Sequence, residues 1–291
     1  MKFNLYDNVK EFHQDVHSIL LTHEAQNMLI LGNLKIGYEG KDKHDWRDPV
    51  NWVMATVVNE EEILLTALMT PPFGITLYAK DNLVFDEAIK CLVDGLINSD
   101  ILVPGVVSEK GLAQRFAEIY GNTKGVGFDM TMSQRIYELT EVNPDVLQLG
   151  ELRLLNEKDM AFFPYWAEEM NSAVFGVLKA VGGEIDPYLY SISAGNSYVL
   201  EVDGMPVSMA KISRELEQVC GIAMVYTPPY FRGKGYASSC VAKLSQVALE
   251  RGFSGCVLYT DLANPTSNSI YQKVGYQEIC DSLEIKFEEI G

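Results

Sequence analysis

The sequence lacks a long apolar segment and a regular cysteine pattern. None of its apolar runs reaches the roughly 18 residues that a membrane-spanning helix needs, and residues 1–7 lack the apolar core of a secretory signal peptide. The five cysteines are an odd number, are widely spaced and form no C-x-x-C pair. This pattern argues against a disulfide framework or a zinc site and favours a reducing compartment. We therefore expect a cytoplasmic protein with no membrane segment and no bound metal.

Positive charge is also scarce, with 23 Lys and Arg against 40 Asp and Glu and a formal net charge of −17. Nucleic acid binding requires a basic face, so we expect no nucleic-acid partner. An acidic surface can attract a cationic amine by electrostatic steering, although an excess of acids also has the simpler interpretation of solubility. All four histidines lie within the first 44 residues, so the rest of the chain has no histidine for acid–base chemistry.

The length of 291 residues suggests about two domains. We place an N-terminal α/β domain at residues 1–142 and a second domain at residues 149–291, with a linker near Asn143 and Pro144. In the first domain the pattern predicts a helix over residues 1–30, a hairpin of strands 52–58 and 63–69, and helices at 85–97 and 111–120. In the second domain it predicts the order β-α-α-β-β-β-α-β-α-β, an α/β fold with a mixed sheet.

One stretch of the second domain has the composition of a phosphate site. An apolar strand pattern ends at Val225, two prolines follow, and Arg232-Gly233-Lys234-Gly235 leads into a helical pattern that starts near Ala237. The free N–H groups at a helix N-terminus attract anions, and glycines let a phosphate approach the backbone. The stretch lacks the Walker A pattern, and Ser238 stands where a dinucleotide fingerprint needs its third glycine. The sequence therefore predicts a pyrophosphate-binding loop of another kind.

Two motifs with the expected elements between them resemble one known family. Arg232, Gly235 and Ala237 match an R-x-x-G-x-A loop. The second motif has the form N-x-x-x-x-x-x-Y-x-x-x-G-[FY], and it is matched by Asn264, Tyr271, Gly275 and Tyr276. With the predicted element order, residues 149–291 resemble the GNAT superfamily of acyl-CoA N-acyltransferases. The resemblance implies a GNAT-like fold, with acetyl-CoA as the acyl donor.

The resemblance also implies roles for individual residues. The main chain of Val225, Tyr226 and Thr227 would bind the pantetheine arm, and Asn264 would bond the pantetheine or its sulfur end. The side chain of Tyr271 would lie beside the thioester sulfur and assist the departure of the thiolate. The pyrophosphate would be held by the loop, whose residues are Arg232, Gly233, Lys234, Gly235, Tyr236, Ala237 and Ser238.

The general base is less well defined by the sequence. Glu217, at the start of the strand that feeds the loop, is our candidate, and Glu201 in the preceding hairpin is a second one. The strand before Asn264 has Tyr259 at a position where relatives of the family can have an acid. This departure puts a dedicated carboxylate base in doubt, and for each glutamate a solvated surface position is the simpler interpretation.

The first half contains a partial repeat of the second. Thr70-Pro71-Pro72-Phe73 follows a predicted hairpin, as Thr227-Pro228-Pro229-Tyr230 does later in the chain. The next residues of the first copy lack the arginine, the lysine and the second glycine. The first half is then a degenerate GNAT-like domain in tandem with the second, or the tripeptide recurs by chance at a strand end.

These expectations lead to a function with open alternatives. The protein is expected to transfer an acetyl group from acetyl-CoA to a primary amine of a small molecule or peptide, by direct attack in a ternary complex. One alternative is the transfer of a longer acyl group, and another is an acyl-CoA-binding sensor or interaction module without catalysis. The sequence leaves the oligomeric state open, and a homodimer is one possibility. Aromatic residues early in the second domain are candidates for the acceptor site or for the core: Phe162, Phe163, Tyr165, Trp166, Phe175 and Tyr188.

Overall fold

The computed structural model describes residues 1–40, 48–80, 86–175 and 186–288, with the side chains of residues 174 and 175 outside the description. The chain divides into two compact units. The first unit comprises Met1–Ile136, Tyr259–Ala263 and Glu278–Gly291, and the second comprises Tyr137–Leu258 and Asn264–Gln277. Residues at the chain's end thus cluster with the first unit, and the division predicted at residues 142–149 stays a prediction. Among the described helices, none is both long and apolar enough to cross a membrane.

In the residues that the structure describes, the first half of the chain contains ten α-helices and β-strands. In order they are β1 (Lys2–Tyr6), α1 (Val9–Leu21), α2 (Met28–Glu39), β2 (Val53–Asn59), β3 (Glu62–Met69), β4 (Ile75–Ala79), α3 (Asp86–Asn98), β5 (Gly105–Glu109), α4 (Lys110–Lys124) and β6 (Phe128–Leu139). Strands β1 to β4 pair antiparallel in sequence order, β4 pairs parallel with β5, and β5 pairs antiparallel with residues 282–286.

The second half repeats the same kinds of element. They are β7 (Glu151–Leu154), α5 (Phe163–Phe175), α6 (Asp186–Ser193), β8 (Ser197–Val202), β9 (Met205–Ser213), β10 (Val219–Tyr226), α7 (Tyr236–Glu250), β11 (Gly255–Asp261), α8 (Pro265–Val274) and β12 (Gln277–Phe287). Strands β7 to β10 pair antiparallel in sequence order, and β10 pairs parallel with β11. This order is the one that the sequence predicted for the second half.

The two halves share the order β-α-α-β-β-β-α-β-α-β. For the first half this differs from the sequence prediction, because residues 1–30 do not form one helix. Residues 2–6 instead form an edge strand against β2, and Asn8 caps α1 by accepting a hydrogen bond from the Lys10 amide at 2.8 Å. Phe12, Val16 and Leu20 are the buried residues of α1. Strand β4 had no prediction, since its five residues are too short for a clear periodicity.

The repeated tripeptide occupies different places in the two halves. Thr70-Pro71-Pro72 lies between β3 and β4, whereas Thr227-Pro228-Pro229 lies between β10 and α7. The interpretation of the tripeptide as equivalent positions is therefore wrong. By element order, the counterpart of the glycine loop is the segment between β4 and α3, residues 80–85. That segment has the sequence KDNLVF without a glycine, and its residues 81–85 lie outside the described part of the chain.

Each unit has its own apolar core. In the first unit α3 and α4 bury apolar faces on the sheet, with Leu92 and Phe116 fully enclosed. In the second unit one cluster lies under α7 and α8, with Val241, Leu244 and Tyr271 among its members. A separate cluster in the second unit packs residues of α5 and α6 against Tyr226 of β10. The end of β10 contributes to each of these two clusters. Val225 packs against the first one, and Tyr226 belongs to the second.

Candidate functional site

Strand β10 contains a β-bulge just before the predicted loop. Its register with β9 runs from Ala223 opposite Lys211 to Tyr226 opposite Met209, so two residues of β10 face one residue of β9. Met224, inside the bulge, has a φ of 53°, a region that residues other than glycine seldom occupy. The parallel ladder to β11 runs from Val219 to Gly221. The bulge therefore lies in the part of β10 beyond that ladder.

Two of the main-chain carbonyls predicted to bind a ligand already have partners. The Tyr226 carbonyl accepts a hydrogen bond from Ser208 Oγ at 3.1 Å. The Thr227 carbonyl accepts one from Arg232 Nε at 2.9 Å. Main-chain pairing with a pantetheine arm would therefore depend on the backbone amides of Tyr226 and Thr227 and on the backbone of Val225. Like Met224, Val225 lies inside the bulge. These hydrogen bonds reduce the number of main-chain groups on the strand that could bind the pantetheine arm, but they do not test the prediction that the strand binds it.

The glycine loop ends at an open helix N-terminus. Gly233 and Gly235 have φ values of 75° and 82°, which side chains with a Cβ atom rarely adopt. Gly235 is the N-cap residue of α7, and no side chain in the described structure caps this helix. The N–H groups of its first turn, at Tyr236, Ala237 and Ser238, therefore lack intrahelical partners. A Cβ atom built at Gly233 would meet no described atom within 4 Å, so the loop has room for an anion.

The two cations of the loop are both exposed. The bond from Arg232 Nε to the Thr227 carbonyl holds the guanidinium beside the end of β10, and its remaining N–H groups can bind a phosphate. Lys234 lies between the two glycines. Together with the positive end of the α7 dipole, this arrangement suits a pyrophosphate.

Ser239 fixes the segment that precedes β7 onto the first turn of α7. Its fully buried hydroxyl donates to the Leu147 carbonyl at 2.7 Å and accepts from the Leu149 amide at 3.0 Å. A cavity of about 270 Å³ opens beside this contact. Its lining residues are Asn143, Asp145, Val146, Leu147, Gly235, Ser238 and Lys273. Lys273 adds a third cation next to the loop, and the sequence analysis did not identify it because the family motif leaves that position open.

Replacing Ser239 with alanine should lower the free energy of unfolding by about 1–3 kcal/mol, because two backbone groups would lose their partner. Urea unfolding of Ser239→Ala and of its neighbour Ser238→Ala would measure the loss. Ser238 is half-buried, and we expect its variant to unfold close to the wild-type midpoint. Equal midpoints for both variants would contradict the anchoring role of Ser239.

Asn264 and Tyr271 lie in the last helix of the second unit. Asn264 is exposed and is the N-cap of α8, where its Oδ1 accepts from the Ser267 amide at 3.1 Å; its side-chain NH₂ group stays available as a donor. Tyr271 is 8% exposed, and burial raises the pKa of its phenol to about 12. Its hydroxyl makes no hydrogen bond with any group of the described chain, whereas the Tyr276 hydroxyl bonds to Ser245 Oγ at 2.8 Å.

The structure does not bring the predicted base to the loop. Glu217 is exposed and lies in the turn before Val219, at the opposite end of β10 from Thr227. This position does not support a catalytic role for Glu217. The Glu201 carboxylate already has a hydrogen-bond partner, because Arg153 Nη2 donates to it at 2.6 Å.

Tyr259, the residue at the position where relatives can have an acid, also has a hydrogen-bond partner. Its hydroxyl donates to the Gln26 carbonyl at 3.3 Å within the first unit. No group of three or more His, Cys, Asp and Glu side chains that could hold a metal occurs in the described ranges.

Polar groups that the sequence analysis missed lie between α5 and β10. The Tyr226 side chain is 5% exposed, and its hydroxyl is buried without a hydrogen-bond partner among the described residues. On α5, Glu168 Oε1 accepts from the Tyr188 hydroxyl at 2.7 Å, but its Oε2 atom is buried and unpartnered within the same part of the structure. The sequence could not identify these groups, because a tyrosine near a strand end and a glutamate in a helix are unremarkable in a single chain.

The aromatic residues of this region divide between core and surface. Phe163 is buried, while Phe162, Trp166 and Tyr188 pack against the cluster that contains Tyr226. The Trp166 and Tyr226 ring centroids are 6.1 Å apart. Tyr165 is 59% exposed, and the side chain of Phe175 lies outside the described residues.

Comparison with known proteins finds one family model and several similar structures. Residues 156–276 match the model described as "Acetyltransferase (GNAT) family". An acetyltransferase of the GNAT family from Colwellia psychrerythraea has 12% identity and a TM-score of 0.55, with 100% of both chains covered. A GCN5-related N-acetyltransferase from Sphaerobacter thermophilus has 14% identity and a TM-score of 0.62, covering 99% of this chain and 96% of that one.

A Drosophila protein has 13% identity and a TM-score of 0.66, with 98% of each chain covered. At such identities the likeness concerns the fold alone, and it extends over both halves of the chain. The GNAT-like fold expected from the sequence is confirmed, and full-length coverage is compatible with two such halves in tandem. A search of curated proteins finds no match.

Proposed function

We propose that the protein transfers an acetyl group from acetyl-CoA to a primary amine, because residues 156–276 match the model of the GNAT acetyltransferase family. The acceptor is a small molecule or a peptide, and it attacks the thioester directly in a ternary complex. The observation that carries the proposal is the uncapped N-terminus of α7 behind two glycines of positive φ. Such a terminus binds phosphate through its N–H groups.

Each predicted residue then has a defined task in binding the donor. The first-turn amides of α7, with Arg232 and Lys234, bind the pyrophosphate, and Lys273 adds positive charge at the adjoining cavity. Val225 and the neighbouring amides bind the pantetheine arm, with the amide group of Asn264 near its sulfur end. A backbone N–H at the bulge polarises the thioester carbonyl and stabilises the oxyanion of the tetrahedral intermediate.

Replacing Arg232 with alanine should weaken acetyl-CoA binding about tenfold, because one charge-assisted contact to phosphate is lost. Calorimetric titration with acetyl-CoA and, separately, with CoA would measure both affinities. Arg251→Ala is the matched control, since Arg251 lies at the other end of α7 in an exposed ion pair with Glu215. We expect the control to bind as the wild type does.

The same titration separates the alternatives. No binding to the wild type at millimolar acetyl-CoA would mean that the glycine loop is a structural turn, and the proposal would fail. Tight binding without acetyl transfer to any amine would favour the acyl-CoA-binding sensor. Equal losses in the two arginine variants would assign the effect to net charge rather than to the loop.

A further inference from the structure

The hydroxyl of Tyr226 is a buried polar group that has no hydrogen-bond partner among the described residues. Buried hydroxyls are nearly always hydrogen-bonded, and an unpaired one lowers stability. The Tyr226 ring packs against Trp166 of α5 and belongs to the buried cluster between α5, α6 and β10. Its backbone is the residue directly after the bulge. An unpartnered donor and acceptor therefore lies one residue from the strand segment where the thioester is proposed to bind.

In the first half of the chain, a comparable buried tyrosine hydroxyl has a hydrogen-bond partner. Tyr78, near the end of β4, is 1% exposed. Its hydroxyl lies 2.8 Å from His23 Nδ1, just beyond the end of α1. The corresponding tyrosine of the second half has no such partner from its own chain among the described residues. The Tyr226 hydroxyl therefore has bonding capacity that a ligand can use, whereas the Tyr78 hydroxyl is already paired.

Charged groups act on this hydroxyl from two elements. Burial raises the pKa of Tyr226 above its ordinary value, the Glu169 carboxylate of α5 raises it further, and Arg232 of the loop opposes them. Glu169 lies one turn after Trp166 on α5, so the two residues share a face of the helix and Glu169 lies on the side of the Tyr226 ring, although no hydrogen bond of good geometry joins it to the hydroxyl. The other titratable groups that border the cluster, Glu168 and Tyr188, are bonded to each other. Glu169 is exposed, so a proton that reaches it can pass to water.

We propose that Tyr226 and Glu169 form the proton-accepting pair for the acceptor amine. The inference rests on the proposed acetyl transfer and offers a base closer to the loop than Glu217, which lies at the opposite end of β10. The Tyr226 hydroxyl accepts a hydrogen bond from the amine and relays the proton to Glu169. Glu169 acts through the tyrosine.

The transfer balances in atoms and electrons. The amine nitrogen forms a bond to the carbonyl carbon of the thioester, the C–S bond breaks, and its electron pair leaves with the sulfur. The proton lost by the nitrogen goes to the Tyr226 oxygen while the phenol gives its own proton to the Glu169 carboxylate. The thiolate takes a proton from water. Tyr226 thus ends in its starting form, and Glu169 returns its proton to solvent.

The test uses Tyr226→Phe and Glu169→Gln, assayed by thiol release from acetyl-CoA. The probes are 2-phenylethylamine, 1,4-diaminobutane and a short peptide with a free N-terminus. We expect each variant to lower kcat at least tenfold at saturating amine, with the acetyl-CoA Kd within twofold of the wild type. The double variant should be no slower than the slower single variant, since residues that act as one unit are not additive.

Stability distinguishes this role from a structural one. Tyr226→Phe removes an unpaired buried hydroxyl, so its melting temperature should equal or exceed that of the wild type. Glu157→Gln, an exposed acid before α5, is the charge-matched control and should keep the wild-type rate. The proposal is overturned by unchanged kcat in either variant, by additive losses, or by a wild type that binds acetyl-CoA but acetylates none of the probes. Failure of acetyl-CoA to bind the wild type would instead remove the proposed function itself.

Discussion

Replacing Gly233 with alanine should weaken acetyl-CoA binding about 100-fold, while the same replacement at Gly204 should leave binding unchanged. The new methyl group would stand where the pyrophosphate approaches the loop. A hundredfold loss corresponds to about 2.8 kcal/mol, close to the value of one or two charge-assisted hydrogen bonds to phosphate. Calorimetric titration of both variants with acetyl-CoA is the measurement.

Gly204 is a close control for the backbone. Both glycines have a φ of 75°, and at both a built Cβ atom would meet nothing within 4 Å in the described structure. Each alanine therefore costs the same strain, about 1–2 kcal/mol for a left-handed residue. Gly204 lies in the turn between β8 and β9, away from the loop. Matching unfolding curves with different affinities would support a phosphate site, whereas equal affinities would show that the glycine at 233 serves the turn alone.

The loop could be predicted because its physics is local. Two prolines end β10, glycines allow positive φ, and a helical pattern starts directly afterwards, so neighbouring residues determine the conformation of the proposed anion site. The element order of the second half follows equally from local periodicity. Strand β1 could not be found in this way, since its five residues are defined by pairing with β2 rather than by their own pattern.

The proposed base pair could not be predicted from the sequence, because it depends on contacts between distant segments. The sequence favours Glu217 because this residue precedes the strand that feeds the loop. The direction of β10, however, places it at the opposite end from Thr227. Tyr226 and Glu169 are 57 positions apart in the sequence, and only packing of α5 on the sheet relates them. The bulge at Met224 is likewise invisible in the apolar run that contains it.

Replacing Tyr271 with phenylalanine should lower kcat about 100-fold while leaving the acetyl-CoA Kd within twofold of the wild type. The pKa of about 12 makes this phenol a weaker acid than an ordinary thiol, whose pKa is near 8.5. Full proton transfer to the leaving thiolate is therefore unfavourable. In the proposed mechanism, Tyr271 would instead donate a hydrogen bond to the sulfur as charge develops there, an effect confined to the transition state. Steady-state kinetics together with calorimetry would separate kcat from binding.

Tyr276→Phe is the control that reverses the expected pattern. Its hydroxyl is bonded to Ser245, so its loss should cost about 1 kcal/mol of stability and leave kcat unchanged. The Tyr271 hydroxyl has no such bond to the described residues, so Tyr271→Phe should keep the wild-type stability. Because burial holds the pKa of Tyr271 at about 12, the phenol stays protonated until the pH approaches that value. The wild-type kcat should then show no alkaline loss of this donor at pH 9, and equal kcat in wild type and Tyr271→Phe would remove Tyr271 from the mechanism.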